Sequence, residues 1–257
     1  MKAAIITQPR DGIGENTSIG IIALSLARSL SRLCDVIVFG KKNPRLPPLA
    51  DTSPQLQYEY VSVAIDDYFI KPLMKILLRF TSSKKRTPVF AMQIYYLAYI
   101  TLTSIKIRTR KCDVIHIHNY TQFIPIARFF NPKAKIIIQM NCEWLTQLDR
   151  RIMYKRLMKA DLILNCSSYI TQKNRERFPE IAERFDTFYN GVDTQMFRPE
   201  NKRIKGKEKK TILFIGRVSP EKGVHILIEA FSAAARKFSD IDLVITGHKG
   251  TSDFISE

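Results

Sequence analysis

The chain alternates short β-rich apolar runs with longer stretches of helical periodicity over almost its whole length. Such alternation is typical of a parallel sheet with helices on both faces. Strands are predicted near residues 2–7, 34–39, 58–63, 113–118, 134–140, 161–166, 185–190, 211–216 and 242–247. A chain of 257 residues has room for one full domain of this kind plus part of another. The sequence therefore predicts an α/β protein built on doubly wound sheets.

A glycine loop follows the first predicted strand. Gly12 and Gly14 stand just before a long helix, and without side chains they let the backbone approach a ligand closely. The predicted apolar face of that helix carries Ile22, Leu26, Leu30 and Leu33. A dinucleotide fingerprint needs a third glycine where Thr17 stands, so the sequence gives poor support to an NAD site.

The segment 216–231 carries the most specific signal in the sequence. It is predicted to be a strand end, a cationic turn and a helix, with Ser219 as the N-cap and Pro220 at the first helical position. A helix N-terminus favours phosphate, and Arg217 and Lys222 add two cations that suit a pyrophosphate. The predicted apolar face of the helix consists of Val224, Leu227, Ile228, Phe231 and Phe238. The same spacing also fits a surface turn with solvated cations.

These motifs resemble the donor-binding signature of glycosyltransferase family 4, a group of retaining enzymes with the GT-B fold. The matching pieces are Gly216-Arg217, Pro220-Glu221-Lys222-Gly223 and Glu229-Ala230-Phe231, with weaker likeness over residues 113–118, 160–167 and 189–199. The resemblance implies an α/β fold of GT-B type with a complete N-terminal, acceptor-side Rossmann-like domain over residues 1–199. A charged linker at 200–210 and the start of a nucleotide-sugar-binding Rossmann-like domain at 211–257 would follow.

The resemblance also implies an activity. A sugar would pass from a nucleoside-diphosphate sugar to a hydroxyl of a saccharide or lipid-linked acceptor, with retention at the anomeric carbon and without a metal or further cofactor. Gly216, Arg217 and Lys222 would bind the donor diphosphate, and Arg217 and Lys222 would be catalytic. Lining the cleft on the acceptor side would be Gly12, Gly14, His118, Asn141 and Glu143. Relatives commonly carry a histidine where Asn141 falls, and an amide cannot act as a base at neutral pH.

The second domain is short in this sequence. Only a β-α-β start is predicted, and the paired glutamates of the family have no counterpart, so the chain is expected to be a fragment or a truncated protein. Its sheet would be too narrow to cover the apolar face of its own helix. The alternative function is therefore a catalytically inactive remnant that acts as a binding or membrane-surface module.

A pair of histidines alternates on one face of a predicted strand. His116 and His118 could suggest a metal site, but no third ligand is close in sequence. We therefore predict no metal at this position.

Basic residues are concentrated between residues 68 and 111. The chain carries a formal charge of +17, and this segment holds ten lysines and arginines and no acidic residue. Phe69, Leu73 and Ile76 fall at helical spacing among the first of these cations, which favours an amphipathic helix lying on an anionic membrane. A solvated helix face is the alternative. Nucleic acid is not predicted as a partner, because no known binding module is present.

An uncharged stretch follows within the basic segment. Residues 87–105 are long enough to span a membrane. Gln93 and a cluster of tyrosines lie in its middle, however, so a core helix is predicted instead. Four cysteines without a Cys-x-x-Cys pair, and no export signal, indicate a cytoplasmic protein that is at most peripheral on the inner face of the membrane.

Overall fold

A computed structural model describes residues 1–10, 12–14, 17–42, 53–80, 88–199 and 210–247, with the backbone alone for 77–80. The chain forms two compact units, Met1–Val192 and Asp193–Glu257, which are called the first and the second unit below. The predicted linker at 200–210 lies almost entirely outside the described residues, so its position stays a prediction.

The first unit is built on a seven-stranded sheet in which every neighbouring pair is parallel. Its strands are β1 (Lys2–Ile6), β2 (Asp35–Gly40), β3 (Leu56–Tyr60), β4 (Val114–His118), β5 (Lys135–Met140), β6 (Leu162–Asn165) and β7 (Phe185–Thr187). The strand order is β3-β2-β1-β4-β5-β6-β7, so the chain reverses its direction of winding between β1 and β4. The predicted strands are confirmed, each with bounds shifted by a few residues.

Helices connect these strands. They are α1 (Ser18–Leu30), α2 (Lys71–Phe80), α3 (Leu97–Thr109), α4 (Phe123–Phe130), α5 (Trp144–Gln147), α6 (Arg150–Leu157) and α7 (Ser168–Arg177). A π-helical turn, Asp66–Ile70, leads directly into α2, and 3₁₀ turns occupy Val89–Ala91 and Pro179–Arg184.

Both faces of the sheet are covered. The larger core packs the inner strands against α3 and α4, and includes Tyr99, Ile117 and Phe123, each at most 1% exposed. A smaller core lies against α1 on the other face. Burial on both faces explains why the central strands are runs of isoleucine and valine with little polar alternation.

The predicted apolar face of α1 is confirmed only in part, since Leu26 and Leu30 pack against the smaller core as partly buried residues. The residues buried against the sheet are Gly20, Ala23, Leu24 and Ala27, whereas Ile22, Leu26 and Leu30 are only half-buried. Leu33 lies beyond the end of the helix and is exposed. Small side chains let α1 approach the sheet closely, which moves the larger residues to the edge of the contact.

The core helix predicted in the uncharged stretch is confirmed for its second half as α3, whereas residues 88–96 form a 3₁₀ turn and a further turn. Tyr99, Ile100 and Ile107 are fully buried, and the helix continues past the uncharged stretch to Thr109. Asp66, itself buried, accepts hydrogen bonds from the backbone amides of Ala98 and Tyr99 at 3.0 and 2.7 Å. A side chain from the preceding π turn thus caps α3. No helix in the described part of the chain is long and apolar enough to cross a membrane.

The second unit contains β8 (Lys210–Ile215), α8 (Val224–Ala235) and β9 (Ile241–Thr246), with β8 and β9 parallel. Many of its apolar side chains are exposed: Ile212, Leu213, Ile215, Ile226, Ile228, Phe238 and Val244. Val224 is the one apolar residue buried within its described part. Of the apolar face predicted for the helix, Ile228 and Phe238 are therefore not covered, as expected for so narrow a sheet.

Candidate functional site

Most of the predicted acceptor-side residues gather at one edge of the first unit. Parallel strands end together, and β1 lies beside β4, which lies beside β5. The glycines lie in the loop after β1, His118 is the last residue of β4, and Asn141 directly follows β5. This edge is also where the winding direction reverses, the position at which open α/β sheets bind ligands. We call it the switch-point edge.

The glycine loop packs directly onto α1. Gly12 has a positive φ of 79°, and its amide donates to the carbonyl oxygen of Gln8 at 3.2 Å. A side-chain carbon at Gly20 would collide with the carbonyl oxygen of Gly14, so this contact requires glycine in the helix. Thr17, which stands where a dinucleotide fingerprint has its third glycine, instead caps α1 by accepting from the amide of Gly20 at 3.1 Å.

His116 and His118 form a stacked pair inside the sheet edge. Their rings lie 4.8 Å apart, with an interplanar angle of 8°. Both are buried, and Nε2 of His116 and both ring nitrogens of His118 have no hydrogen-bond partner among the described residues. No group of three or more possible metal-ligating side chains occurs in the part of the chain that the structure describes.

Burial keeps both imidazoles neutral. It lowers the pKa of His116 to about 4, an effect that the Gln139 side chain partly offsets. Burial, together with the neighbouring His116, also lowers the pKa of His118 well below its ordinary value. Neutral imidazole can donate from one nitrogen and accept at the other, so the pair can recognise an uncharged polar group such as a hydroxyl.

Two asparagines join the ends of β4 and β5. Asn119 directly follows β4 with a positive φ of 61°, and its Oδ1 accepts from the amide of Asn141 at 2.8 Å. Nδ2 of Asn141 is buried without a partner among the described residues, as is Oε1 of Gln139. Sequence reasoning missed Asn119, although an asparagine directly after a strand is a signal for a left-handed residue.

Glu143 lies one turn further along the same loop. Its carboxylate is 3.5 Å from Nζ of Lys173, which comes from α7. Sequence reasoning missed this lysine, because 30 residues separate it from its partner. The switch-point edge therefore offers a charged pair beside several buried polar groups.

In the second unit, the predicted helix start needs correction. Pro220–Lys222 forms a single 3₁₀ turn, and α8 begins only at Val224. Gly223 separates the two with a positive φ of 68°, a conformation that breaks a continuous helix and favours glycine. Ser219 is buried, but its hydroxyl caps no helix by hydrogen bonding.

Arg217 and Lys222 lie on either side of the turn and are both exposed. Nη2 of Arg217 is 3.6 Å from Oε1 of Glu221, a contact that sequence reasoning did not include. Gly216, at the end of β8, donates its amide to Thr246 of β9 at 3.0 Å. The first turn of α8 leaves amide groups without partners inside the helix, as every helix does. Two exposed cations beside a helix start can bind a diphosphate.

Comparison with known sequence families assigns the chain to a family. The family model for Glycosyltransferase Family 4 matches residues 19–196, and the model for Glycosyl transferases group 1 matches residues 197–257. Since the first match alone covers well over half of the chain, the protein belongs to glycosyltransferase family 4.

Curated relatives have modest identity. The chain is 29% identical to "Putative glycosyltransferase YtcC" of Bacillus subtilis (strain 168), over 58% of this chain and 40% of the relative. It is 27% identical to the lipopolysaccharide 1,2-N-acetylglucosaminetransferase of Salmonella typhimurium, over 55% of this chain and 36% of the relative. The chain thus spans less than half the length of these relatives.

Solved structures support the fold. HepE from Anabaena in complex with UDP-glucose matches 100% of this chain and 64% of its own, with a TM-score of 0.63 and 15% identity. Starch synthase IV from Arabidopsis thaliana, bound to ADP and acarbose, matches 98% of this chain and 69% of its own, with a TM-score of 0.64 and 11% identity. The predicted α/β fold of GT-B type is confirmed.

Proposed function

We propose that the chain belongs to an enzyme that transfers a sugar from a nucleoside-diphosphate sugar to an acceptor hydroxyl with retention. The observation that carries the proposal is the exposed pair Arg217 and Lys222 around the turn before α8, in a chain of glycosyltransferase family 4. The relative solved with UDP-glucose supports the class of donor. A saccharide or lipid-linked hydroxyl compound is the proposed acceptor.

In this reaction the bond between the anomeric carbon and the diphosphate oxygen breaks, and its electron pair leaves with the diphosphate. The acceptor oxygen adds to the face from which the diphosphate departs, which gives retention, and its proton passes to the departing diphosphate. Arg217 and Lys222 would stabilise the negative charge that grows on the leaving oxygen. One preorganised donor of this kind typically lowers a barrier by about 3 kcal/mol.

The switch-point edge is proposed as the acceptor side. The nitrogens of His118 and Asn141 that have no partner among the described residues can hydrogen-bond hydroxyl groups, and Gly12 and Gly14 lie in the loop after the neighbouring strand β1. Glu143 would orient the acceptor through its carboxylate. Asn141 is an uncharged amide, so it would position a group rather than accept its proton.

The test is Arg217→Ala, made in the longest form of the protein that its gene encodes. We expect release of nucleoside diphosphate to fall about a hundredfold, with unchanged far-UV circular dichroism because the side chain is exposed. Arg236→Ala is the matched control, since it removes an exposed arginine of the same unit that lies outside the turn. Equal turnover by Arg217→Ala and the control would refute the role.

Titration with UDP, GDP and ADP separates this proposal from its alternative. An active transferase binds at least one of them, and Arg217→Ala weakens that binding. If the longest form binds none, the alternative of a non-catalytic binding module takes the place of this proposal. Following the anomeric configuration of the product by NMR tests retention separately.

A peripheral membrane contact is proposed as a second property. Tyr68, Phe69, Leu73 and Ile76 form an exposed apolar face on the π turn and α2. The surrounding charge is weaker than the sequence indicates, because Asp67 pairs with Lys71, and Glu59 pairs with both Lys106 and Arg110. The apolar face would therefore contribute most of the binding, on the cytoplasmic side of a membrane, where the four free cysteines stay reduced.

Co-sedimentation with vesicles tests this contact. Replacing Phe69 and Leu73 together by serine should abolish binding to vesicles that contain anionic lipid. Ile105→Ser is the control, because Ile105 is an exposed apolar residue of α3. Unchanged binding by the double variant would exclude α2 as the contact.

A further inference from the structure

A groove lies on the helical surface of the first unit, between the Val89–Ala91 turn, α4 and α6. Its volume is about 570 Å³, within the usual range for small-molecule sites. The lining residues are Ala91, Met92, Gln93, Pro125, Ile152, Lys155, Arg156 and Lys159. None of them belongs to the switch-point edge or to the diphosphate-binding turn. We call this feature the α6 groove.

Arg156 is the unusual member of the groove. This residue is only 5% exposed, and the one side-chain hydrogen bond that it makes to the described residues runs from Nη1 to Oγ1 of Thr121 at 3.3 Å. No described carboxylate pairs with it, whereas Arg128 pairs with Asp161 and Arg150 pairs with Glu180. Burial alone lowers the pKa of Arg156, to about 10.

A buried cation without an anion destabilises a protein, because its lost hydration is not replaced. Arg156 stays protonated at neutral pH, because even its lowered pKa lies well above 7. The missing partner must therefore be compensated by water or by an anion from solution. A groove that opens at the guanidinium provides the space for such an anion.

The remaining lining residues define what kind of anion fits. Lys155 and Lys159 lie one turn apart beside Arg156, both exposed, and the lining contains no acidic side chain. The apolar part of the lining consists of Met92 and Pro125, together with Ile152 of α6 itself. Three cations suit a phosphate monoester with close to two negative charges, and the apolar part of the lining suits a hydrocarbon group attached to it.

We propose that the α6 groove binds a phosphate monoester of an apolar compound, with Arg156 and the two lysines holding the phosphate. The binding site is separate from the proposed transferase site, so its test measures binding and needs no turnover. The ligand could be soluble or part of a lipid surface, and the probes below distinguish the two.

The experiment titrates the 257-residue protein with octyl phosphate below its critical micelle concentration, by calorimetry. Inorganic phosphate and octyl glucoside are titrated in parallel, and vesicles that contain phosphatidic acid serve as the lipid-bound form. The variant Lys155→Gln/Lys159→Gln removes two exposed cations of the groove. Arg151→Gln is the matched control, because Arg151 is an exposed cation of α6 that does not line the groove.

We expect saturable binding of octyl phosphate that the double variant weakens roughly tenfold or more, since hydrogen bonds to charged groups are the strong ones. Arg151→Gln should leave the affinity within about twofold, as is usual for a distant surface charge. Arg156→Met should lose binding while keeping or raising the melting temperature, because it removes an unpaired buried charge. Binding to the vesicles that requires the same lysines would assign the ligand to a lipid headgroup, and binding of octyl phosphate alone would assign it to a soluble ester.

Four outcomes would overturn the proposal. Absence of saturable binding would do so, and so would equal weakening by Arg151→Gln and the double variant, which would mean attraction to net charge alone. Octyl glucoside binding as tightly as octyl phosphate would remove the role of the cations. Inorganic phosphate binding as tightly would remove the role of the apolar part of the lining.

Discussion

The two units of the chain use the same kinds of residues with opposite results. In the first unit, Ile117 and Ile138 lie on adjacent strands and are completely buried by helices on both faces of the sheet. In the second unit, Leu213 and Ile215 lie on an equally apolar strand but are 56% and 74% exposed. A parallel strand is buried only when further strands and helices cover it. Apolar composition therefore predicts the strand, and the number of neighbours decides its burial.

The largest expected difference between the units concerns two phenylalanines. Phe123→Ala should lower the free energy of unfolding by about 4 kcal/mol, because it opens a cavity in a packed core. Phe238→Ala should change it by less than about 0.5 kcal/mol, as is usual for an exposed site. Urea unfolding followed by circular dichroism measures both. Equal losses would mean that Phe238 is covered in solution, and the contrast between the units would fail.

The second prediction concerns pH and the buried histidine pair. His116 has an ordinary pKa near 6.5 when unfolded and about 4 when folded, so the unfolded chain binds more protons between these values. The stabilisation by neutral His116 is complete above pH 6.5 and decreases as the pH falls towards 4, by roughly 3 kcal/mol.

His116→Gln removes this contribution. Its free energy of unfolding should depend less on pH between 6.5 and 4 than that of the unchanged protein. Comparing the slopes cancels the groups that both proteins share, including carboxylates such as Asp161, whose pKa is lowered by an amide hydrogen bond and Arg128 against the effect of burial. Parallel slopes would show that His116 does not titrate as its burial implies.

The third prediction concerns the cap that Asp66 provides to the first turn of α3. The described part of the second unit has no such side-chain cap on α8. Asp66→Ala should cost about 2 kcal/mol, because two backbone amides of α3 lose their acceptor. Asp66→Asn keeps one acceptor oxygen and should cost less. Thermal unfolding of the two variants gives the comparison. An equal loss in both would mean that the charge of Asp66, rather than its capping geometry, is what matters.

The smallest effect is expected at the turn of the second unit. Glu221 is close enough to Arg217 to compete with a diphosphate for the guanidinium. Glu221→Gln should therefore strengthen UDP or GDP binding by about two- to fivefold, the usual scale of an exposed ion pair. The gain should diminish at high salt, where the pair is screened. Weaker binding in the variant would indicate that Glu221 itself contacts the ligand.

Local patterns predicted much of this structure. Every predicted strand is present, because runs of isoleucine and valine followed by polar residues are a short-range signal. The glycine loop, His118 and Asn141 were correctly expected at strand ends. The family resemblance then placed them in one cleft, and the sheet order, in which β4 lies between β1 and β5, brings the ends of these strands to one edge.

Features that depend on distant residues were not predictable. The cap from Asp66 to α3 joins residues that are more than 30 positions apart, and the contact between Asn119 and Asn141 crosses between strands. The buried state of Arg156 depends on how α4 and α6 pack. The start of α8 was missed for a local reason, because a glycine with positive φ interrupts a pattern that otherwise continues through Pro220.

The carboxylate of Asp66 has a mechanical consequence for the exposed face of α2. That face is continuous with the π turn, and the π turn is tied to the first turn of α3 by two amide hydrogen bonds. The Tyr99 hydroxyl in turn reaches the carbonyl oxygen of Thr7, just after β1, at 3.4 Å. Separating α2 and the π turn from the sheet would break these hydrogen bonds. The bonds therefore hold α2 in a fixed orientation relative to α3 and β1. Any surface that binds it also orients the whole sheet.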